Sequence, residues 1–307
     1  MIDTRLTVMP NMLIMGNLCD PEAQCVKDLL QWAARKLRKH KFETPRLDAE
    51  VLLAHAMKKD RLQLYLALED AVDKDSELYY RSMIVERLAY RPVSYLIGNK
   101  EFMSLDFTVN ENVLIPRPET ETLVETVWRL RQTGSRVLEL GTGSGAIAVS
   151  LARCNFHWHI VATDLSMEAI LVARENARFH DVIDRISFLQ GDLFSAFSRH
   201  SEFDWVVSNP PYIPTRDLAE LPPGIRQYEP ILALDGGPDG LSVIRRIIAE
   251  AYTVLKPGGQ LAIEIGYGQS DEVQDLAYET GKYSDFSIIK DYSGIPRVFC
   301  CRLNAGR

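Results

Sequence analysis

Four residues, Asn209-Pro-Pro-Tyr212, follow the apolar run Phe203-Asp-Trp-Val-Val207 and close what reads as a buried strand. Prolines 210 and 211 fix φ and carry no backbone N–H. The turn therefore presents two acceptors, the Asn209 side-chain oxygen and the Pro210 carbonyl, without competing donors. Converging acceptors suit an NH2 group on a planar nitrogen, either an amide or the exocyclic amine of a base, whose lone pair is delocalised. Accepting both N–H bonds turns that lone pair toward an electrophile and stabilises the positive charge that develops on attack. Tyr212 adds a ring face for stacking and for cation–π support. Asn209, Pro210 and Tyr212 are thus the candidate catalytic residues, and Pro211 completes the acceptor-binding turn.

A second constellation lies upstream, where the strand Arg136 to Leu140 runs into Gly141-Thr142-Gly143-Ser144-Gly145 and then into a helix. Glycine permits positive φ and lets a ligand approach backbone that a Cβ would block. Asp164 ends the next strand, 23 positions after Gly141, where a carboxylate accepts from both hydroxyls of a ribose. Asp192, in Gln190-Gly-Asp-Leu193, closes the third strand, placed for an adenine amino group with Leu193 against the ring. The loop is GxGxG rather than the GxGxxG of dinucleotide sites and lacks the Lys-Ser/Thr ending of a phosphate loop, so neither NAD nor ATP is favoured. S-adenosylmethionine, with ribose and adenine but no phosphate, fits this set. Methyl transfer to a planar nitrogen then needs in-line proximity and a charge-stabilising pocket, with no metal and no covalent nucleophile.

These residues must be positioned by a sheet. After Arg136, strands (Arg136 to Leu140, Ile160 to Thr163, Ile186 to Gln190, Trp205 to Ser208) alternate with helices (Ala146 to Arg153, Met167 to Phe179). That alternation implies a parallel sheet covered on both faces. Ligands gather outside the carboxyl ends of such strands. Further on, the sequence predicts a helix over Ser242 to Leu255, a turn at Lys256-Pro-Gly-Gly259, a strand over Gln260 to Ile265, and two final apolar runs at Phe286 to Ile289 and Arg297 to Cys301.

The first third reads differently. Val26, Leu29, Leu30, Ala33, Ala34 and Leu37 recur at the spacing of one helical face, and further helices are predicted over Leu47 to Lys58 and Asp75 to Leu88. A small helical domain over residues 22–95 is expected, then a linker hairpin over 96–115 with Phe102, Leu105, Phe107 and Val109 alternating, then the α/β domain over 116–307. Residues 1–21 read as a poorly defined extension, and Met15 reads as a second candidate start. The basic run Arg35 to Lys41 at a helix end reads as a solvated face favoured by the helix dipole. In Leu114-Ile-Pro-Arg-Pro-Glu-Thr-Glu121, two readings of Arg117 and Glu119 stand: a rigid helix start, or side chains aimed at a cleft.

The 307 residues carry a formal net charge of −7 and are 46% apolar and 25% charged, the composition of an ordinary globular protein. An acidic chain is a poor coat for nucleic acid. The five cysteines show no metal-ligand or redox spacing. No apolar run reaches the roughly 18 residues of a membrane span, and Asp3, Pro10 and Asn11 interrupt any signal-peptide core. A cytoplasmic location without membrane contact is expected.

The glycine loop, the Asp164 strand end, Ser208-Asn-Pro-Pro-Tyr-Ile-Pro214, Tyr228-Glu-Pro-Ile-Leu-Ala-Leu-Asp-Gly-Gly-Pro-Asp-Gly240, Leu114 to Glu121, Pro45 to Glu50 and Arg91 to Gly98 together resemble the release-factor glutamine methyltransferases. The resemblance implies a seven-stranded class I S-adenosylmethionine-dependent methyltransferase domain of Rossmann-like fold behind a small all-α domain that recognises the substrate. It also implies methylation of the side-chain amide nitrogen of the glutamine in the Gly-Gly-Gln loop of peptide chain release factors. By position, Gly141 to Gly145, Asp164, Leu193 and Asn209 would touch the cofactor, and Asn209 to Tyr212 would hold the glutamine. The Asn-Pro-Pro-Tyr letters alone are shared with adenine N6 and guanine N2 methylases, which would need a basic cleft or an added recognition domain. A catalytically silent adaptor is the third alternative.

Overall fold

The computed structural model describes residues 25–130, 135–198 and 202–305. The predicted extension over 1–21, with Cys19 and Met15, lies outside them. The chain divides into two compact units, one ending at Leu96 and the other starting at Ile97.

In the first unit, α1 (Val26–Lys39), α2 (Pro45–Ala56), α3 (Arg61–Leu66) and α4 (Lys74–Leu88) precede a short α5 (Val93–Ile97) that runs across the division. Val26, Leu29, Ala33 and Leu37 of the predicted stripe are buried, and Trp32 joins them where Leu30 and Ala34 remain partly exposed. The sequence reading passed over α3, a short helix announced by its capping box, in which Asp60 accepts from the Gln63 N–H and Gln63 answers the Asp60 N–H. The acids of Pro45 to Glu50 are structural. Asp48 pairs with Arg87 at 2.8 Å and Glu50 with Arg61 at 2.7 Å. Lys36, Arg38 and Lys39 occupy the last turn of α1, where cations favour the helix end.

The second unit opens with the hairpin β1 (Asn99–Phe102) and β2 (Leu105–Thr108). Met103 and Ser104 at its tip hold φ of 51° and 58°. Phe102 and Phe107 are buried in this unit's own core, so the predicted linker stretch folds as part of the α/β unit. There follow α6 (Glu121–Arg129), β3 (Arg136–Leu140), α7 (Ala146–Cys154), β4 (His159–Asp164), α8 (Met167–Phe179), β5 (Ile186–Gln190), β6 (Phe203–Ser208), α9 (Pro223–Tyr228), α10 (Ser242–Glu250), β7 (Leu255–Glu264), α11 (Ser270–Glu279), β8 (Tyr283–Lys290) and β9 (Pro296–Leu303).

The seven strands order as β5-β4-β3-β6-β7-β9-β8. The first five are parallel, and β9 and β8 return antiparallel. Side chains alternate between two cores. Trp205 and Val207 of β6 join α6 and α7 on one face, and Val206 joins α10 and α11 on the other. Two boundaries differ from expectation. The helix predicted to reach Leu255 ends at Glu250, after which a 3-10 turn leads into β7. The predicted turn at Lys256 to Gly259 is a bulge inside β7, because pairing with β6 slips from Phe203–Leu255 to Trp205–Gln260. Register also places the site: Leu140 pairs with Ser208, and Ser208 with Ile263, so β3, β6 and β7 end level.

Candidate active site

At the end of β3, the glycine loop turns with left-handed backbone at Gly141 (φ 72°) and Gly143 (φ 53°). A Cβ on either would point into open space, so these two leave bare backbone facing the crevice. Gly145 serves packing instead, since its Cβ would stand 3.0 Å from that of Ala173 on α8. Thr142 and Ser144 are buried, the first with its N–H donating to the Thr163 carbonyl and the second with its carbonyl accepting from Asn176. Asp164 accepts from the Gly143 N–H at 2.8 Å and from the Ser166 N–H at 2.9 Å, clamping the loop to the start of α8. Burial raises its pKa, against the pull of those N–H donors. At the end of β5, Asp192 is exposed and meets Arg246 at 3.0 Å, while Leu193 packs against the second core.

Beneath the loop lies a residue the sequence reading missed. Glu139 is wholly buried, takes a 2.7 Å hydrogen bond from the Thr142 hydroxyl on one oxygen, and has no partner on the other. Desolvation pushes its pKa up to about 8.

On the other side of β3, the Asn209 turn is held from three directions. The Asn209 amide nitrogen donates to the Thr120 hydroxyl at 3.0 Å. Thr120, 4% exposed, closes a 3-10 turn over Pro118–Thr120, so the proline-rich stretch orients Asn209 and leaves its oxygen free to accept. The Tyr212 hydroxyl donates to Glu264 at 3.2 Å, and the Tyr212 carbonyl accepts from the Gln269 amide at 3.0 Å. Gly240 presses on that same carbonyl: a Cβ there would lie 2.5 Å from it, with φ at +79°. The Tyr228 to Gly240 stretch is thus a buttress for the turn. Burial, and next the Glu264 charge, raise the Tyr212 pKa.

Arg117 answers the question its sequence left open. One guanidinium nitrogen bonds both oxygens of Glu229, at 2.7 and 2.8 Å, and the Glu229 side chain is 1% exposed. This pair ties the segment after the turn to the stretch before α6. Arg117 also lines, with Leu114, Asn209, Tyr212, Ile213 and Leu234, a cavity of about 190 Å³. Glu119 is exposed and acts on Glu264 only through its charge. Glu264 escaped the sequence reading, although the signal was present twice. Leu138-Glu-Leu-Gly141 and Ile263-Glu-Ile-Gly266 both set a carboxylate at the end of an apolar strand, just before a glycine.

The fold and crevice define a methyltransferase domain, and residues 131–287 match the family model of that description. A methyltransferase from Pyrococcus furiosus shares the fold, at TM-score 0.50 and 20% identity over 73% of this chain and 100% of that one. Residues 28–98 match the PrmC N-terminal domain. The release factor glutamine methyltransferase of Moorella thermoacetica is 45% identical over 89% of this chain and 97% of its own length. That of Rhodopirellula baltica is 38% identical over 89% and 94%. The chain belongs to the release factor glutamine methyltransferase family.

Proposed function

We propose that this protein transfers a methyl group from S-adenosylmethionine to the side-chain amide nitrogen (N5) of the glutamine in the Gly-Gly-Gln motif of peptide chain release factors. Bound S-adenosylmethionine supplies an electrophilic methyl on a sulfonium and leaves as S-adenosyl-L-homocysteine. The residues at the crevice fit that group: Gly141 and Gly143 offer bare backbone with room above it, and Asp164 and Asp192 close the neighbouring strands. Gly141, Thr142, Gly143, Ser144, Gly145, Asp164, Asp192, Leu193 and Asn209 are the cofactor-binding set in this reading.

The acceptor side carries the chemistry. Asn209 and Pro210 take the two N–H bonds of the glutamine amide, Pro211 stiffens the turn, and Tyr212 walls the site with its ring. Holding both N–H bonds opposes conjugation of the nitrogen lone pair with its carbonyl and stabilises the charge that grows as the N–C bond forms. The observation that carries this assignment is the bond from the Asn209 amide to Thr120, which fixes the amide with its oxygen as the free acceptor. The helical unit is assigned to release-factor recognition. A cytoplasmic location fits an enzyme of the translation machinery, and none of the described helices is long and apolar enough to cross a membrane.

Nucleic acid as direct substrate is disfavoured by a net charge of −7. The test incubates the purified protein with methyl-labelled S-adenosylmethionine and, separately, a release factor, its Gln-to-Ala variant at the Gly-Gly-Gln motif, DNA and RNA. Label is expected on the unaltered release factor alone. Label on nucleic acid but not on release factor refutes the assignment, and no label anywhere favours the adaptor.

A further inference from the structure

Glu264 is the last residue of β7, and its neighbour Ile263 pairs with Ser208, next to the Asn209 turn. Its side chain is wholly buried, one oxygen accepts from the Tyr212 hydroxyl at 3.2 Å, and the Thr120 hydroxyl is the further hydroxyl that helps hold its charge. A buried carboxylate costs stability that a methionine of similar size would not. Its contact gives a reason for keeping it, because it holds the hydroxyl of the ring assigned above as the wall of the acceptor site.

We propose that Glu264 is a positioning residue for methyl transfer, acting through Tyr212: as a carboxylate it holds the phenol hydroxyl and makes the Tyr212 ring an electron-rich wall for the charged acceptor nitrogen. The inference rests on the acceptor-site reading above. In the step it serves, the nitrogen lone pair forms the N–CH3 bond as the S–CH3 electrons return to sulfur, and the nitrogen then gives up one proton to water. Positive charge peaks on nitrogen between those events. A phenol donating to a carboxylate pushes electron density into its ring, and the ring face then attracts that charge more strongly than a phenol beside a neutral acid.

Charged and polar groups from several elements face Glu264. From β9, Arg297 faces it and itself contacts Asp291 at 3.4 Å. From the 3-10 turn before α6 come the Thr120 hydroxyl and the charge of Glu119. Arg117, which faces Tyr212, is neutralised by Glu229. On α6, packed across the same strand, Glu121 accepts from the Met103 N–H, and Glu125 pairs with Arg129 and accepts from Tyr292. Desolvation outweighs the help of Thr120 and Arg297 and lifts the Glu264 pKa to about 7. The carboxylate therefore forms as pH rises through neutrality.

The test uses the full chain with a release factor as acceptor. For the wild type, kcat is expected to rise through pH 7 to a plateau. Glu264→Gln should lower that plateau about tenfold, flatten the rise and leave the KM for S-adenosylmethionine within about twofold. Tyr212→Phe should cost a similar factor, and the double variant little more than either. A Glu264→Gln profile that keeps the wild-type rise and plateau overturns the proposal, as do losses that multiply in the double variant. A second arm needs no turnover: in 13C-tyrosine-labelled protein without cofactor, the ring signal assigned by its loss in Tyr212→Phe should titrate near pH 7 in wild type and stay constant in Glu264→Gln. A pH-independent Tyr212 signal in the wild type overturns the inference even if the release factor is methylated. If it is not methylated, the acceptor assignment fails while this titration still decides whether the two residues are coupled.

Discussion

Thr120→Val tests how the Asn209 amide is oriented. Valine keeps the shape of threonine and removes the oxygen that accepts from the Asn209 amide nitrogen at 3.0 Å. Thr120 is 4% exposed, so water does not readily replace the lost acceptor. A hydrogen bond of this kind contributes about 0.5 to 1.5 kcal/mol net, and a donor left buried and unpaired costs about 1 to 3 kcal/mol. The amide has two orientations, and only the one with its oxygen toward the acceptor site accepts an N–H. Losing about 1.4 kcal/mol of bias shifts the ratio between them about tenfold, so an orientation favoured about ten to one falls to about even and the competent population is roughly halved. In steady-state methylation of a release factor, kcat should therefore fall about twofold in Thr120→Val, with the KM for S-adenosylmethionine little changed, and Thr120→Ser should restore most of the rate. Wild-type kcat in the valine variant, or an equal loss in the serine variant, would refute the reasoning.

Three further outcomes are expected. Asn209→Ala should reduce kcat by about a hundredfold or more, the usual cost of removing a polar group aimed at developing charge, while S-adenosylmethionine affinity measured by calorimetry falls far less. Arg117→Ala leaves Glu229 buried without its partner and should lower unfolding stability in urea by about 3 kcal/mol, whereas adding Glu229→Gln should recover part of the loss. Glu139 gives the pH dependence. Its pKa is raised on folding from 4.5 to about 8, so across that range the folded state binds a proton that the unfolded state has released. Stability should therefore fall as pH rises between those values, by up to about 5 kcal/mol from this group. Denaturant midpoints measured from pH 5 to about 9 should show a flatter profile in Glu139→Gln.

What the sequence disclosed follows from what is local. The strands and helices from Arg136 to Ser208 were legible because side-chain period and glycine placement are local properties. The same holds for the loop at Gly141 and for the rigid turn at Asn209, whose prolines impose their geometry wherever they stand. The support of that turn was not legible, because it is built from distant segments: Thr120 reaches Asn209 across 89 positions, and Arg117 reaches Glu229 across 112. Glu139 and Glu264 were hidden for a different reason. A single acid in an apolar strand reads as the polar side of an alternation, and only a sheet covered on both faces makes it a buried carboxylate. The bulge at Lys256 to Gly259 misread as a turn for a similar reason, since Pro-Gly-Gly marks a break in regular backbone without saying whether the strand resumes its partner.

The most direct measurement locates the methyl group itself. A release factor purified from cells lacking this methylation is incubated with the protein and S-adenosylmethionine, digested, and read by tandem mass spectrometry across the Gly-Gly-Gln peptide. The account predicts one added methyl on the glutamine side chain, accumulating at least about a hundredfold more slowly when Asn209→Ala replaces the wild type. An unmodified glutamine, or a methyl on any other residue, would contradict it.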